Sequence, residues 1–170
     1  FYNFNYMTKK YLIVIFLSFF IVNLVHAAGS GGDEDSKKIK LSNYKKANSM
    51  IKQAKKLEKK NKTEKAKKKY KKAIDYLVLA NKEKANQPDI LNYLGFAHRK
   101  IGDFENAEVY YKLGLSIDPE HIGINEYLGE LYVQTGRIDE AKKRLKVLEN
   151  CKCKEFEELK SVISTGNSKY

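Results

Sequence analysis

Apolar residues recur along this chain at spacings of three and four, which is the period of an amphipathic α-helix. Two sets of four apolar residues show the spacing well: Met50, Ile51, Ala54 and Leu57, and then Phe156, Leu159, Val162 and Ile163. Runs of β-branched residues are few, Ala, Leu, Lys and Glu are abundant, and the two prolines are Pro88 and Pro119. The pattern therefore predicts an all-α protein with long uninterrupted helices.

A fourteen-residue pattern occurs twice, as LGFAHRKIGDFENA at residues 94–107 and as LGELYVQTGRIDEA at residues 128–141, 34 residues later. Each copy predicts two helices, here called A and B, joined by a tight turn. Gly95 and Gly129 are expected where helix A presses closest on helix B. Gly102 and Gly136 are expected to end the A helices in the left-handed conformation, and Asp103 to cap the helix that follows.

With this period, the chain resembles the tetratricopeptide repeat family. Residues 88–121 match the family pattern at Leu91, Leu94, Gly95, Gly102, Ala107, Tyr111 and Pro119. Residues 122–153 match it again at Leu128, Gly129, Tyr132, Gly136, Ala141 and Leu145. The resemblance implies a short right-handed α-solenoid of helix-turn-helix repeats.

A divergent, lysine-rich first repeat is predicted at residues 42–87. NKTEKA at residues 61–66 aligns with GDFENA and GRIDEA, so Asn61 takes the place of the turn glycine. Its A helix is predicted over residues 42–60 and a longer B helix from residue 64 to about residue 84. Residues 154–164 are predicted to form a capping helix and residues 165–170 a frayed tail, which completes three repeats plus a C-terminal cap.

The N-terminal segment reads as a secretory signal peptide over residues 1–27, with Met7 as the true start. Lys9 and Lys10 precede an apolar run at residues 11–25, and small residues around Ala27 suit cleavage. The alternative is an uncleaved membrane anchor, although a 15-residue run is shorter than the roughly 20 residues that cross a bilayer. The signal favours the bacterial periplasm and leaves a eukaryotic secretory route open. Residues 28–41 are predicted to be a flexible acidic linker.

The formal net charge of +12 is concentrated in the first repeat. Residues 37–84 hold 19 Lys and 4 acidic residues, whereas residues 85–170 hold 12 basic and 14 acidic residues. A basic face is predicted at Lys67, Lys68, Lys69, Lys71 and Lys72. It either binds an anionic envelope surface, such as lipid headgroups or lipopolysaccharide, or is simply a solvated helix face. The absence of Arg from this stretch and the secretory signal both argue against a nucleic-acid reader.

No motif for catalysis, cofactor binding or metal binding is present, so we expect a non-enzymatic protein without cofactor or metal. His98 occupies a packing position of the repeat pattern, and His121 stands just before a helix. Cys151 and Cys153 are the two cysteines. They either form a strained disulfide, which an oxidising compartment permits, or remain separate thiols under the cap.

The resemblance implies a concave groove lined by the A helices, which holds a partner protein or peptide. The positions carried over to this groove are Asn92, Phe96, Arg99, Glu126, Glu130, Ile51 and Lys55. Phe96 is expected either to take an apolar side chain of the partner or to pack on the long neighbouring helix. The predicted function is a protein-binding adaptor or scaffold of the cell envelope, with peripheral binding to an anionic surface as the alternative.

Overall fold

The computed structural model describes the backbone of residues 32–166 and the side chains of residues 43–166. Its helices are α1 (Gly32–Glu58), α2 (Thr63–Glu83), α3 (Pro88–Ile101), α4 (Phe104–Ile117), α5 (Ile122–Gln134), α6 (Ile138–Val147) and α7 (Lys154–Thr165). Residues 32–166 contain no strand, so the all-α prediction is confirmed. The predicted signal peptide lies outside the described residues.

The chain divides into two units, Phe1–Lys38 and Ile39–Tyr170, and the contacts that follow belong to the second unit. Here α3 pairs with α4 and α5 pairs with α6, as expected for helix-turn-helix repeats. Each A helix also packs on the B helix before it, and α7 lies against α5 and α6. None of the helices in the described part of the chain is both long enough and apolar enough to span a bilayer.

Helix α1 begins at Gly32, ten residues before the predicted start. The predicted linker over residues 28–41 therefore overlaps the first ten residues of α1. The other predicted helix bounds lie within one or two residues of those observed.

The turns have the predicted backbone conformations. Gly102 and Gly136 have φ values of +90° and +76°, so both lie in the left-handed region. Asn61 replaces glycine in the first repeat at a φ of +56°, a conformation that Asn tolerates better than most residues. Asp103 caps α4, where its Oδ1 accepts a hydrogen bond from the backbone N–H of Asn106 at 3.3 Å.

Gly95 and Gly129 each lie where two helices approach closely, but the helix that Gly129 meets is not the predicted one. A Cβ on Gly95 would lie 2.5 Å from the ring of Tyr111 on α4, so this A–B contact is confirmed. A Cβ on Gly129 would lie 2.6 Å from Leu159, which is on the capping helix α7. The prediction that Gly129 faces its own B helix is thus wrong, because α7 docks on that side of α5.

Candidate partner-binding surfaces

The predicted groove residues lie together on the facing sides of the A helices, but almost all of them are buried. Six have buried side chains: Ile51, Asn92, Phe96, Arg99, Glu126 and Glu130. Lys55 is partly exposed. The expected display of these side chains on an open surface is therefore corrected, because the facing sides of the A helices are closed by packing between neighbouring elements.

Phe96 is the centre of this packing and is only 1% exposed. Its ring centroid lies 5.8 Å from that of Tyr70 on α2 and 5.1 Å from that of Tyr127 on α5. The Nζ atom of Lys55 lies 4.6 Å from the Phe96 ring centroid, which adds a cation–π contact from α1. Of the two expectations for Phe96, packing on the long neighbouring helix is the one that the structure shows.

A buried ion pair joins the second and third repeats. Arg99 Nη1 lies 2.7 Å from Glu130 Oε2, and both side chains are withdrawn from solvent. Arg99 also donates a hydrogen bond to Gln134 Oε1 at 3.4 Å. Because a lone buried charge is costly, removing either partner of such a pair typically costs about 3–5 kcal/mol. This pair therefore ties α3 to α5.

Glu126 forms a second polar contact, between α5 and the capping helix. Burial raises the pKa of Glu126 to about 9, with further contributions from a hydrogen bond to Glu158 and from the charges of Glu130, Glu158 and Glu155. Glu126 is thus protonated at neutral pH, and its carboxyl group can donate to Glu158 on α7. Lys55 on α1 is the cation that faces Glu126.

Helix α4 displays an apolar stripe that sequence reasoning missed. Val109, Leu113 and Ile117 are 60%, 41% and 43% exposed. Their spacing of four residues puts them on one face of α4, away from the buried face that holds Ala107 and Tyr111. The spacing was readable from the sequence, but the same spacing also predicts a core face, so only the packing tells the two apart.

On another side of α4, Glu108 links two repeats. Arg137 donates to both carboxylate oxygens, at 3.0 and 2.8 Å, and Lys112 Nζ lies 2.8 Å from Oε1. These hydrogen bonds lower the pKa of Glu108 to about 2, and the hydrogen bond from Arg137 has the largest effect. The Arg137 guanidinium lies 4.5 Å from the Tyr132 ring centroid. The arrangement holds the turn before α6 against α4.

The predicted basic face is largely open to solvent. Lys68, Lys71 and Lys72 are exposed, whereas Lys67 and Lys69 are partly buried. Lys67 pairs with Glu64 at 3.4 Å, a contact between neighbouring turns of α2. Within residues 43–166, the other four lysines of the basic face form no ion pair.

Two of the four acidic residues in the lysine-rich repeat face other elements. Glu58 binds Lys100 Nζ at 2.7 Å and accepts from the Tyr70 hydroxyl at 2.9 Å. Glu83 accepts from Asn43 at 3.2 Å. These two acids therefore do not neutralise the outer lysines, and the helices carry an excess of positive charge on their exposed sides.

The histidines have structural contacts. His98 stacks on Tyr110 and bonds Asp103 Oδ2 at 2.8 Å, as expected of a packing position. His121 Nδ1 accepts from the N–H of Ile124 at 3.1 Å, so it caps α5.

Cys151 and Cys153 form a disulfide in the turn before α7, with their Cα atoms 5.1 Å apart. Lys152 between them has a φ of +49°. Within residues 43–166, no group of three or more His, Cys, Asp or Glu side chains is arranged to hold a metal ion.

Residues 99–162 match a family described as tetratricopeptide repeat. The resemblance expected from the 34-residue period is thereby confirmed for residues 99–162. This family is generally a non-catalytic protein-interaction fold.

A solved structure described as "Crystal structure of MamA" is similar to this chain, with 22% sequence identity and a TM-score of 0.43. The similarity covers 74% of this chain and 86% of that one. No curated protein matches the chain.

Proposed function

We propose that this chain is a non-enzymatic adaptor of the cell envelope, which binds a partner protein on the outer face of its helical repeats. Repeat folds of this kind present extended surfaces to their partners. The inner faces of the A helices are occupied by the Phe96 packing and the Arg99–Glu130 ion pair. These contacts make the repeats rigid, so that they can support a binding surface on their outer face.

The apolar stripe of Val109, Leu113 and Ile117 carries this proposal. Single exposed apolar residues are ordinary, whereas a continuous apolar strip commonly marks a contact site. With a rise of about 1.5 Å per residue, the stripe runs roughly 12 Å along α4. Asn106 and Tyr110 flank the stripe on one side and are uncharged, whereas Glu105 and Lys112 flank it on the other. A partner helix with an apolar face of similar length is the occupant that fits this stripe.

The envelope location rests on the sequence of the N-terminal segment. A basic start, a 15-residue apolar run and small residues near Ala27 have the order of a secretory signal. Cleavage after Ala27 would release the helical repeats into the periplasm. Mass spectrometry of the protein purified from cells tests this, because cleavage at that site leaves Ala28 as the first residue.

The test of the adaptor is affinity capture from envelope extract with the mature protein and matched variants. Leu113→Lys puts a charge in the centre of the stripe, and Glu157→Lys puts one at an exposed position of α7 as the control. We expect a defined partner with the parent and with Glu157→Lys, and its loss with Leu113→Lys. Both variants change exposed positions, and equal melting temperatures by circular dichroism would show that folding is kept.

Partner binding in the predicted A-helix groove is tested in the same experiment by Lys55→Gln. Lys55 is the groove residue that remains partly exposed, so its removal can affect a groove ligand without emptying the core. A partner that is lost with Lys55→Gln and kept with Leu113→Lys would place the site in the groove and refute the outer stripe.

A second candidate function is peripheral binding to an anionic envelope surface, which the inward-facing acids favour. Lys65, Lys68 and Lys72 are exposed on one face of α2. Changing these three to Gln should reduce sedimentation with phosphatidylglycerol vesicles, and added salt should do the same. The control changes Lys142, Lys146 and Lys152 to Gln, which removes the same charge from the C-terminal half. Equal loss in both triple variants would refute a dedicated lysine face.

A further inference from the structure

A cleft opens between α4 and α6, on the side of α4 that carries Glu108. Leu115, Leu128 and Tyr132 form its apolar floor, and its rim carries three cations: Lys112, Lys143 and Arg144. Its volume is about 380 Å³. Pockets that hold small ligands measure roughly 300–1,000 Å³, so the cleft has room for one large side chain and its neighbours.

Arg144 is held in place by a buried side chain. Its Nη1 donates to Asn125 Oδ1 at 3.2 Å. Asn125 is fully buried, and its Nδ2 donates to the carbonyl oxygens of Pro119 and His121 at 3.0 and 3.1 Å. Asn125 is neutral, so it orients the guanidinium without neutralising its charge. A guanidinium fixed along one edge can offer the remaining N–H groups to a carboxylate.

The other cations add to this positive charge. Lys143 is exposed, and within residues 43–166 no ion pair is recorded for it. Lys112 and Arg137 share the single carboxylate of Glu108, which leaves one positive charge in excess. Glu140 is the acidic residue that lines the cleft, and its negative charge opposes these positive charges. The rim is thus positive, although residues 85–170 together carry 14 acidic and 12 basic residues.

The floor of the cleft is also fixed. The Tyr132 hydroxyl donates to Glu108 Oε1 at 3.4 Å, and the Arg137 guanidinium lies 4.5 Å from the centroid of the Tyr132 ring. Leu128 is buried beside it on α5. An apolar ligand group would therefore meet a surface that needs no rearrangement, which lowers the entropic cost of binding.

We infer that this cleft binds an acidic peptide segment of a partner protein, with one large apolar side chain on the Leu115–Leu128–Tyr132 floor and an adjacent carboxylate on Arg144 and Lys143. The charge of the rim selects an acidic segment over a basic one. The inference goes beyond the proposed function, because it assigns a second surface and a chemistry for what binds there. Its site lies on a different side of α4 from the apolar stripe, so each surface can be tested without the other.

The test is an NMR titration of the folded chain with short synthetic peptides. The first peptide has one Leu flanked by Glu residues, the second replaces each Glu by Lys, and the third replaces the Leu by Ala. We expect the first to shift amide signals around residues 112–116, 140–144 and 128–132, with saturation at or below about 1 mM. The second peptide should leave these signals unchanged, and the third should bind at least several-fold more weakly.

Variants assign the binding to the cleft. Arg144→Gln should weaken the Leu–Glu peptide about tenfold, because a charge-assisted hydrogen bond is lost. Lys146→Gln, an exposed position of α6 outside the cleft lining, removes the same charge and should leave affinity unchanged. Ser116→Phe fills the cleft from an exposed position without altering charge, and should abolish the shifts even if Arg144→Gln perturbs the fold.

Equal binding of the Glu and Lys peptides, equal weakening by Lys146→Gln, or no shift up to about 1 mM would each overturn the inference. These outcomes do not touch the adaptor proposal, which depends on loss of a captured partner in Leu113→Lys. Conversely, peptide binding in the cleft that survives Leu113→Lys would support the cleft whatever the capture experiment finds.

Discussion

Raising the pH is expected to destabilise the fold through Glu126, and Glu126→Gln is expected to remove most of that effect. Glu126 has a pKa of about 9 in the folded chain, against a usual value near 4.5. Between these two values the folded chain holds a proton that the unfolded chain releases. The stabilisation is thus fully present below about pH 4.5 and is lost as the pH rises through about 9.

The magnitude follows from the difference in bound protons. One proton corresponds to a slope of about 1.4 kcal/mol per pH unit. Between about pH 5 and pH 8 the upper bound is therefore about 4 kcal/mol. Local opening of α7, which would let water reach the carboxylate, reduces the loss, so we expect about 2–3 kcal/mol over that interval. Gln keeps a neutral hydrogen-bonding group of the same shape and has no proton to lose.

The assay is urea unfolding, followed by circular dichroism, at a series of pH values for the parent and the variants. Glu126→Gln should become more stable than the parent above neutral pH and show a flatter pH dependence. Glu105→Gln, at an exposed position on α4, serves as the control and should follow the parent. Parallel curves for the parent and Glu126→Gln would refute the assignment of a buried, protonated carboxyl group to this position.

Three further changes test single contacts. Gly129→Ala should lower the free energy of unfolding by about 1–3 kcal/mol, because the added methyl group clashes with Leu159. In urea unfolding, the loss in the double variant Gly129→Ala/Leu159→Ala should be smaller than the sum of the losses in the two single variants. Asn61→Gly should leave the melting temperature unchanged or raise it, whereas Asn61→Ala should cost about 1 kcal/mol because its φ is positive. Glu108 has a pKa of about 2 in the folded chain, so the stabilisation by Arg137 is present above about pH 4.5 and is lost as the pH falls towards 2. Glu108→Gln should therefore make the free energy of unfolding depend less on pH between these values.

The local features of the repeats were predictable from the sequence, because short-range backbone chemistry determines them. Gly102 and Gly136 end their helices in the left-handed region, and Asn61 does so in the divergent repeat, as the aligned turns indicated. Asp103 caps α4 for the same reason, since its side chain acts on a backbone group three residues away. The 34-residue period then identified the class of protein.

The features that sequence reasoning missed depend on contacts between distant elements. Burial of Phe96 requires Tyr70 and Tyr127, which reach it from two other helices, so groove positions taken from the family pattern become interior positions here. Gly129 meets Leu159 because of how the capping helix docks, a relation that no local pattern encodes. The apolar stripe was visible as a spacing of four, but deciding that it faces outward required the packing of α4.

The binding surface on α4 is tested most directly by site-specific photo-crosslinking in the envelope. A photoreactive amino acid at position 113 should form a crosslink to one defined partner protein, and the same amino acid at position 157 on α7 should form none to that partner. A partner crosslinked from position 157 or from position 55 but not from position 113 would contradict the account.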